Sequence, residues 1–250
     1  MHRLLVETKL LDEESPVLPA DAARHLRVLR PKDGEEVELF DGRGRWRVYR
    51  FCASLKSGGD AASPLAQTSQ TFQTSQTSQT LTLFACVTKG SRWDWTVEKA
   101  TELGVTRIVP VISERTIVRI PKGERAAKRE RWMRIAEDAA RQSDAKWLPE
   151  ICEAVDFKDA LPLVRETTCF IGALTDPPPR PLMKAVEDFR RETGDLKGIS
   201  TFIGPEGDFT PEELAALMEI ATPTSFGPTV LRAETAAIYA VSVLAATLSA

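Results

Sequence analysis

From residue 81 onward, short apolar runs alternate with amphipathic stretches, and this alternation is what most constrains the fold. The runs at 81–87 (LTLFACV), 107–112 (RIVPVI), 167–174 (TTCFIGAL), 200–205 (STFIGP) and 224–227 (TSFG) read as strands. Between them, 91–104 reads as a helix stopped at Gly104. A long basic helix covers 123–142 with Trp132, Ile135 and Ala139 on one face, and further helices cover 180–192, 210–221 and 233–249. Strand–helix alternation implies a parallel sheet covered on both faces, so the expected class is α/β. Thr210, Pro211 and Glu213 form a complete helix start: N-cap, proline at the first helical position, capping-box glutamate. The last helix, AETAAIYAVSVLAATLSA, is apolar nearly all round. Such a helix must be covered on every side, by the core or by a second copy, so a homodimer is expected.

Residues 1–80 read differently. ADAARHLRVLR suggests one helix, PKDGEE a turn, and VELFDGRGRWRVYRFCASL shows strand alternation across a DGRG turn. The expected organisation is a small β-rich domain over 1–80 and an α/β domain over 81–250. Residues 67–80 are a polar three-residue repeat, QTSQTFQTSQTSQT, interrupted only by Phe72. The stretch 56–80 has too little apolar area to offset ordering entropy and reads as a disordered surface insertion. It is either a tolerated loop expansion or a recruitment tail.

A net charge of −3 argues against a nucleic-acid partner, but its distribution does not. Residues 81–146 carry net +5 and residues 147–250 net −8, so an acidic tail hides a basic middle. Arg24, Arg27 and Arg30 recur at helical spacing, and Arg43, Arg45 and Arg47 alternate along a strand with Trp46 opposite. These are solvated faces or phosphate contacts. Arg125, Lys128, Arg129, Arg131 and Arg134 line the basic helix. The four cysteines are widely spaced with no C-x-x-C, and Cys86 and Cys169 fall in apolar runs as buried thiols. Two histidines, His2 and His25, leave almost nothing from which to build a zinc site or a histidine triad, so no metal is expected. The start, MHRLLVETKLLDEE, has no signal-peptide h-region. The uncharged stretch 235–250 is too short, and too rich in Ala, Ser and Thr, to span a bilayer. A cytoplasmic protein with no membrane partner is the expectation.

In a parallel sheet, ligands bind beyond the carboxyl ends of the strands. Three such ends are rich in Gly and Pro: 174–179 (LTDPPP), 204–208 (GPEGD) and 226–235 (FGPTVLRAET). Glycine lets backbone approach a ligand and proline stiffens the loop. Singly each is an ordinary strand-to-helix turn; together they suit a neutral heteroaromatic ring such as adenine. G-x-G-x-x-G, the P-loop and G-x-S-x-G are all absent, which argues against dinucleotide, P-loop and α/β-hydrolase chemistry.

Lys89-Gly90, Glu98-Lys99-x-x-Glu102-Leu103-Gly104, Ser113-Glu114-Arg115, Ile203-Gly204-Pro205-Glu206-Gly207 and Gly227-Pro228-x-Val230-Leu231-Arg232-Ala233-Glu234-Thr235-Ala236 follow one another in order. This combination resembles the bacterial small-subunit ribosomal RNA uridine-N3 methyltransferases, of the SPOUT class of S-adenosyl-L-methionine-dependent enzymes. HLRVLR and Leu39-Phe40-Asp41-Gly42 resemble that family's PUA-like RNA-binding barrel. The resemblance covers nearly the whole chain apart from the Gln/Thr/Ser insertion.

It implies a PUA-like β-barrel domain followed by a parallel-sheet methyltransferase domain with a C-terminal trefoil knot, working as a homodimer on ribosomal RNA or the small subunit. The implied cofactor contacts are Leu174 and Thr175; Ile203, Gly204, Pro205, Glu206 and Gly207; and Phe226, Gly227, Val230, Leu231, Ala233 and Thr235. Implied RNA contacts are Arg24, Arg27, Arg30, Arg43, Arg45, Arg47, Lys89 and Arg115. Arg232 would favour the anionic uracil ring, or else form an ion pair with Glu234; Glu206 or Glu234 would accept the proton. The chain departs from the family pattern at Asp208, where a second glycine is usual, at Thr229, where arginine is typical, and at Arg141-Gln142-Ser143. Two other readings remain: a related methyltransferase acting on another base or a ribose, and a non-catalytic RNA-binding assembly factor.

Overall fold

The computed structural model describes residues 1–52, 65–67, 71–74, 79–173, 177–194 and 198–248. Two compact units result: Met1–Gln76 with Ala140–Leu148, and Thr77–Ala139 with Pro149–Ala250. The expected boundary near residue 80 thus gains a second crossing, because 140–148 returns to the N-terminal unit.

In that unit, strand β1 (His2–Leu5) pairs in parallel with β2 (Glu36–Phe40), and β2 pairs antiparallel with β3 (Arg45–Phe51). Helix α1 (Ala20–Leu29) buries Ala22 and Leu26, adding to a core of Leu4, Leu11, Val37, Leu39 and Tyr49. The Asp41 carboxylate accepts the N–H groups of Arg43 (2.8 Å) and Arg45 (3.1 Å), closing the DGRG turn. Gly44 sits there at φ 88°, and a Cβ on it would lie 2.4 Å from Trp147. What captures 140–148 is Arg3. Its guanidinium donates to the carbonyls of Ala140 (2.6 Å) and Ala145 (3.0 Å), and to buried Glu38 (2.9 Å). Gly44 N–H bonds to Lys146 O and Leu148 N–H to Gly42 O, each at 2.9 Å.

The insertion corrects one expectation. Two pieces of it, β4 (Leu65–Gln67) and β5 (Phe72–Gln73), add in succession to the free edge of β3. Leu65 is fully buried, and the Thr71 hydroxyl donates to Leu11 O at 2.9 Å. An open ladder supplies backbone partners that the polar side chains do not, and one buried leucine adds apolar burial. The remaining insertion residues, 56–64, 68–70 and 75–78, lie outside the described residues.

The second unit is the expected parallel sheet. Its strands are β6 (Thr80–Cys86), β7 (Arg107–Ile112), β8 (Glu150–Ile151), β9 (Val155–Asp156), β10 (Thr168–Gly172), β11 (Gly198–Ile203) and β12 (Ala221–Thr224). The order is β12-β10-β11-β6-β7-β8, with β9 also pairing β7, and every pairing is parallel. Burial on both faces explains the unbroken apolar run of β6. One face packs Leu81, Leu83 and Phe170 under α2 (Ser91–Glu102), α3 (Arg125–Gln142), α5 (Leu182–Thr193) and α7 (Ala233–Leu248). The other packs Phe84, Val109 and Phe202 under α4 (Phe157–Val164) and α6 (Pro211–Met218).

The expected strand at 224–227 instead ends at Thr224; its residues, ATPT, are no apolar run and are recruited by the open edge of β10. The pairs Ile171↔Phe202 and Gly172↔Thr224 bring the carboxyl ends of β10, β11 and β12 side by side.

Candidate cofactor and RNA site at the strand ends

The loop after β11 is held rigidly from outside. Ile203 is buried, and the Pro205 carbonyl accepts Asp208 N–H at 3.0 Å. Asp208 takes φ 60°, left-handed backbone that aspartate tolerates better than most residues, and its own carboxylate accepts Phe209 N–H at 2.8 Å. Thr210 and Glu213 form the expected capping box, and Glu213 also accepts Glu114 N–H at 2.9 Å. Arg115 donates to the carbonyls of Gly207 (3.1 Å) and Phe209 (3.2 Å). The loops after β7 and β11 are therefore one clamped body. Glu206 pairs with Arg92 at 3.3 Å.

The loop after β12 is open. Ala173 N–H bonds to Thr224 O (3.0 Å), and Ser225 N–H bonds to Arg180 O (2.8 Å), so the chains leaving β10 and β12 run together. The Phe226 ring occupies the space that a side chain at Gly172 would need, 2.7 Å from an ideal Cβ, and tilts against Tyr239. Gly227 has φ 128°, a backbone closed to other residues, with nothing within 4 Å of a Cβ. Val230 is 77% exposed. Arg232 is exposed and makes no side-chain hydrogen bond or ion pair among the described residues, so the pair with Glu234 is not formed. Glu234, half-buried in the first turn of α7, has Oε2 buried without a partner among those residues; the Thr88 hydroxyl at the end of β6 is the same. Leu231, Ala233 and Gly204 are half-buried, and Lys89, Gly207 and Thr235 are exposed. Leu174 and Thr175 lie outside the described residues.

The clamped loop after β11, and the exposed loop after β12 with its unpaired Arg232 followed by a carboxylate oxygen lacking a partner, suit a ligand with N–H groups at the strand ends. Residues 75–245 match the family described as "RNA methyltransferase domain", and residues 18–51 match "RNA methyltransferase PUA domain". The chain belongs to the RNA methyltransferase family. Among the relatives of this methyltransferase, the ribosomal RNA small subunit methyltransferase E of Synechocystis is 29% identical over 238 residues, 94% of this chain and 74% of that one. The Bacillus subtilis protein of the same name is 29% identical, over 62% of this chain and 61% of that one. The Neisseria gonorrhoeae enzyme of that name, solved bound to S-adenosyl methionine, superposes with TM-score 0.76 at 28% identity, covering 99% of this chain and 98% of that one.

The arginines of the N-terminal unit sort into two groups. Arg47 corrects an expectation: it is 7% exposed, because its strand face points into the core, and it donates to Leu11 O at 2.8 Å. Arg45 pairs with Asp12 at 2.6 Å. Arg43 lies on the turn, not the strand, and is exposed, as are Arg24, Arg27 and Arg30. On α3, Arg125 pairs with Asp156, Arg131 with Asp94, and Arg129 donates to Ile151 O. Arg115 likewise serves as a strut. Charge spacing alone could not separate these, since every partner is distant in sequence.

Burial pushes the Cys86 thiol up to about 11 and the Cys169 thiol to about 12, so neither is a nucleophile near neutrality. Among the described residues no cluster of three His, Cys, Asp or Glu could hold a metal, and no helix is long and apolar enough to cross a membrane. Sequence reasoning missed Arg92, Thr88 and the second bond of Glu213, none of which carries a local pattern.

Proposed function

We propose that this protein transfers a methyl group from S-adenosyl-L-methionine to N3 of a uridine in small-subunit ribosomal RNA. The observation that carries the reading is the free, exposed Arg232 on the open strand-end loop, two residues before a glutamate with a buried, unpartnered oxygen. The residues fit the cofactor: Gly227 leaves room for close backbone approach, and orphaned oxygens at Thr88 and Glu234 await polar partners. Leu174, Thr175, Ile203, Gly204, Pro205, Gly207, Phe226, Gly227, Val230, Leu231, Ala233 and Thr235 would hold it. When bound, it supplies an electrophilic methyl group on a sulfonium.

Uracil N3 is protonated at neutral pH and becomes nucleophilic only when that proton leaves. Arg232 donates to a flanking carbonyl oxygen and favours the anionic ring. Glu234 is the proton acceptor, since Glu206 is engaged by Arg92. Arg115 and Glu213 tie the loops after β7 and β11 together, so the β11 loop that would hold the cofactor is pre-ordered. The base must be unpaired or flipped from its stack.

The same reading includes a C-terminal trefoil knot, a cytoplasmic location and a homodimer. The dimer is supported by a groove of about 500 Å³ on the outer face of α7, lined by Trp95, Met183, Ile238, Tyr239 and Val243 among others. An apolar groove on a helix face needs a partner.

The test incubates the protein and S-adenosyl-L-methionine with small subunits lacking the modification, followed by nucleoside mass spectrometry. 3-Methyluridine is expected. A methyl on another base or on a ribose gives the function to a related methyltransferase, and RNA binding with no methyl transfer makes the protein an assembly factor.

A further inference from the structure

The lone aromatic of the Gln/Thr/Ser repeat, Phe72, lies directly opposite Trp46 on neighbouring strands, and the two rings stack at 4.4 Å with 19° between their planes. Lys146 Nζ lies 4.5 Å from the centre of the Trp46 ring. That lysine is itself fixed, by both oxygens of Glu38 at 2.7 Å and by Asp144 at 2.9 Å. Trp46 is thus immobilised, while Phe72 remains 44% exposed. Phe72 is flanked by polar Thr71, Gln73 and Thr74 rather than by an apolar rim. Two exposed arginines without ion pairs among the described residues lie before and after Trp46 along the chain: Arg43 on the turn, and Arg50 on the same face of β3 as Trp46. Arg50 is four residues along, about 13 Å at the usual strand rise.

We infer that the Trp46–Phe72 pair is a stacking platform for an unpaired RNA base, with Arg43 and Arg50 taking the flanking phosphates. The inference rests on the protein being an RNA-modifying enzyme but assigns a second contact point, in the other unit, that the methyl-transfer site does not use. Pre-ordered aromatic faces beside cations are how proteins hold single-stranded RNA, because every base has a π-face to offer. A protein-docking patch would instead need a contiguous apolar surface, which the polar neighbours of Phe72 do not provide. Burying the other face of Phe72 against Trp46 also lowers the entropy cost of ordering it for a base.

The experiment measures binding of the full chain to a fluorescent single-stranded RNA 12-mer by anisotropy, for wild type, Phe72→Leu and Phe72→Tyr. Leucine still covers Trp46 but cannot stack on a base. It is expected to weaken binding about tenfold, with tyrosine within twofold of wild type. A series of 12-mers each carrying one abasic site is expected to lose affinity at one position with wild type and to lose nothing further with Phe72→Leu. Arg43→Ala and Arg50→Ala are each expected to flatten the salt dependence by about 0.7 in log–log slope. Phe72→Leu binding within twofold of wild type, or abasic sites felt equally by both proteins, overturns the platform while leaving the methyltransferase reading standing. No 12-mer bound by wild type likewise overturns the platform, while the methyltransferase reading stands or falls on methyl transfer to small subunits.

Discussion

Arg3 and Arg47 in the N-terminal unit are buried, and each donates to backbone carbonyls distant in the chain, whereas Arg232 in the methyltransferase unit stands exposed and unpaired among the described residues on a strand-end loop. The same residue type builds the fold in one place and is left for a ligand in the other. What decides is direction. Inward positions of β3 aim Arg47 at the core, and charge-assisted bonds to backbone carbonyls, Leu11 O among them, make its burial tolerable. The loop after β12 has no such obligation, because its glycine and proline satisfy or remove their own backbone needs. A count of arginines therefore says little about binding; a count of those without partners says much.

The largest expected effect tests the buried side of that contrast. Glu38→Ala removes the buried carboxylate shared by Arg3 and Lys146 and leaves them only the exposed Asp144, which costs about 3–5 kcal/mol for a broken buried pair. Thermal melting should show the N-terminal unit lost or strongly destabilised, while Arg27→Ala, at an exposed position, leaves the melt unchanged. A Glu38→Ala melt equal to wild type would erase the distinction.

Arg232→Ala probes the other side. Losing the charge that stabilises the anionic ring should slow methylation by about 10²- to 10³-fold with S-adenosyl-L-methionine affinity within threefold. A rate within a few-fold of wild type would remove the residue from the chemistry.

Gly172→Ala comes next in size. Its Cβ would lie 2.7 Å from the Phe226 ring, so that ring must shift; cofactor affinity by calorimetry is expected to fall about tenfold. Unchanged affinity would mean that Phe226 does not set the shape of the site.

The smallest effect concerns the thiols. Burial raises the ionisation of Cys86 from 9.0 to about 11, so the neutral form persists well above neutrality. Because the folded value is the higher one, this contribution to stability is complete below about 9 and is lost as pH rises toward 11. Methylation between pH 6 and 8 should be indifferent to Cys86→Ala, and alkylation of native Cys86 at pH 8 should be negligible. Rapid labelling would contradict its burial.

Much of the methyltransferase unit was legible because its signals are local. Continuous apolar runs, the Gly104 stop, and the Thr210–Glu213 cap each specify their element within a few residues. The left-handed backbone at Asp208 was foreseeable from what aspartate tolerates. Elements recruited by someone else's edge were not: β8, β9 and β12 are short and weakly apolar, and β4 and β5 arise from a polar repeat that found an open ladder on β3. The return of 140–148 to the first unit depends on Arg3, 137 residues from the Ala140 carbonyl it binds, and no pattern in either stretch announces the other. At the site, the loop positions were readable as Gly/Pro-rich strand ends. The pairing that occupies Glu206 and Arg115 and leaves Arg232 free was not, since it is settled by three-dimensional neighbours.

Hydrogen exchange with and without S-adenosyl-L-methionine asks most directly whether the ends of β10, β11 and β12 grip the cofactor. Slowed exchange at the amides of 203–207 and 226–235, with 36–51 in the N-terminal unit unaffected, is the predicted result. Saturating cofactor that leaves both strand-end segments exchanging at their free rates would contradict it.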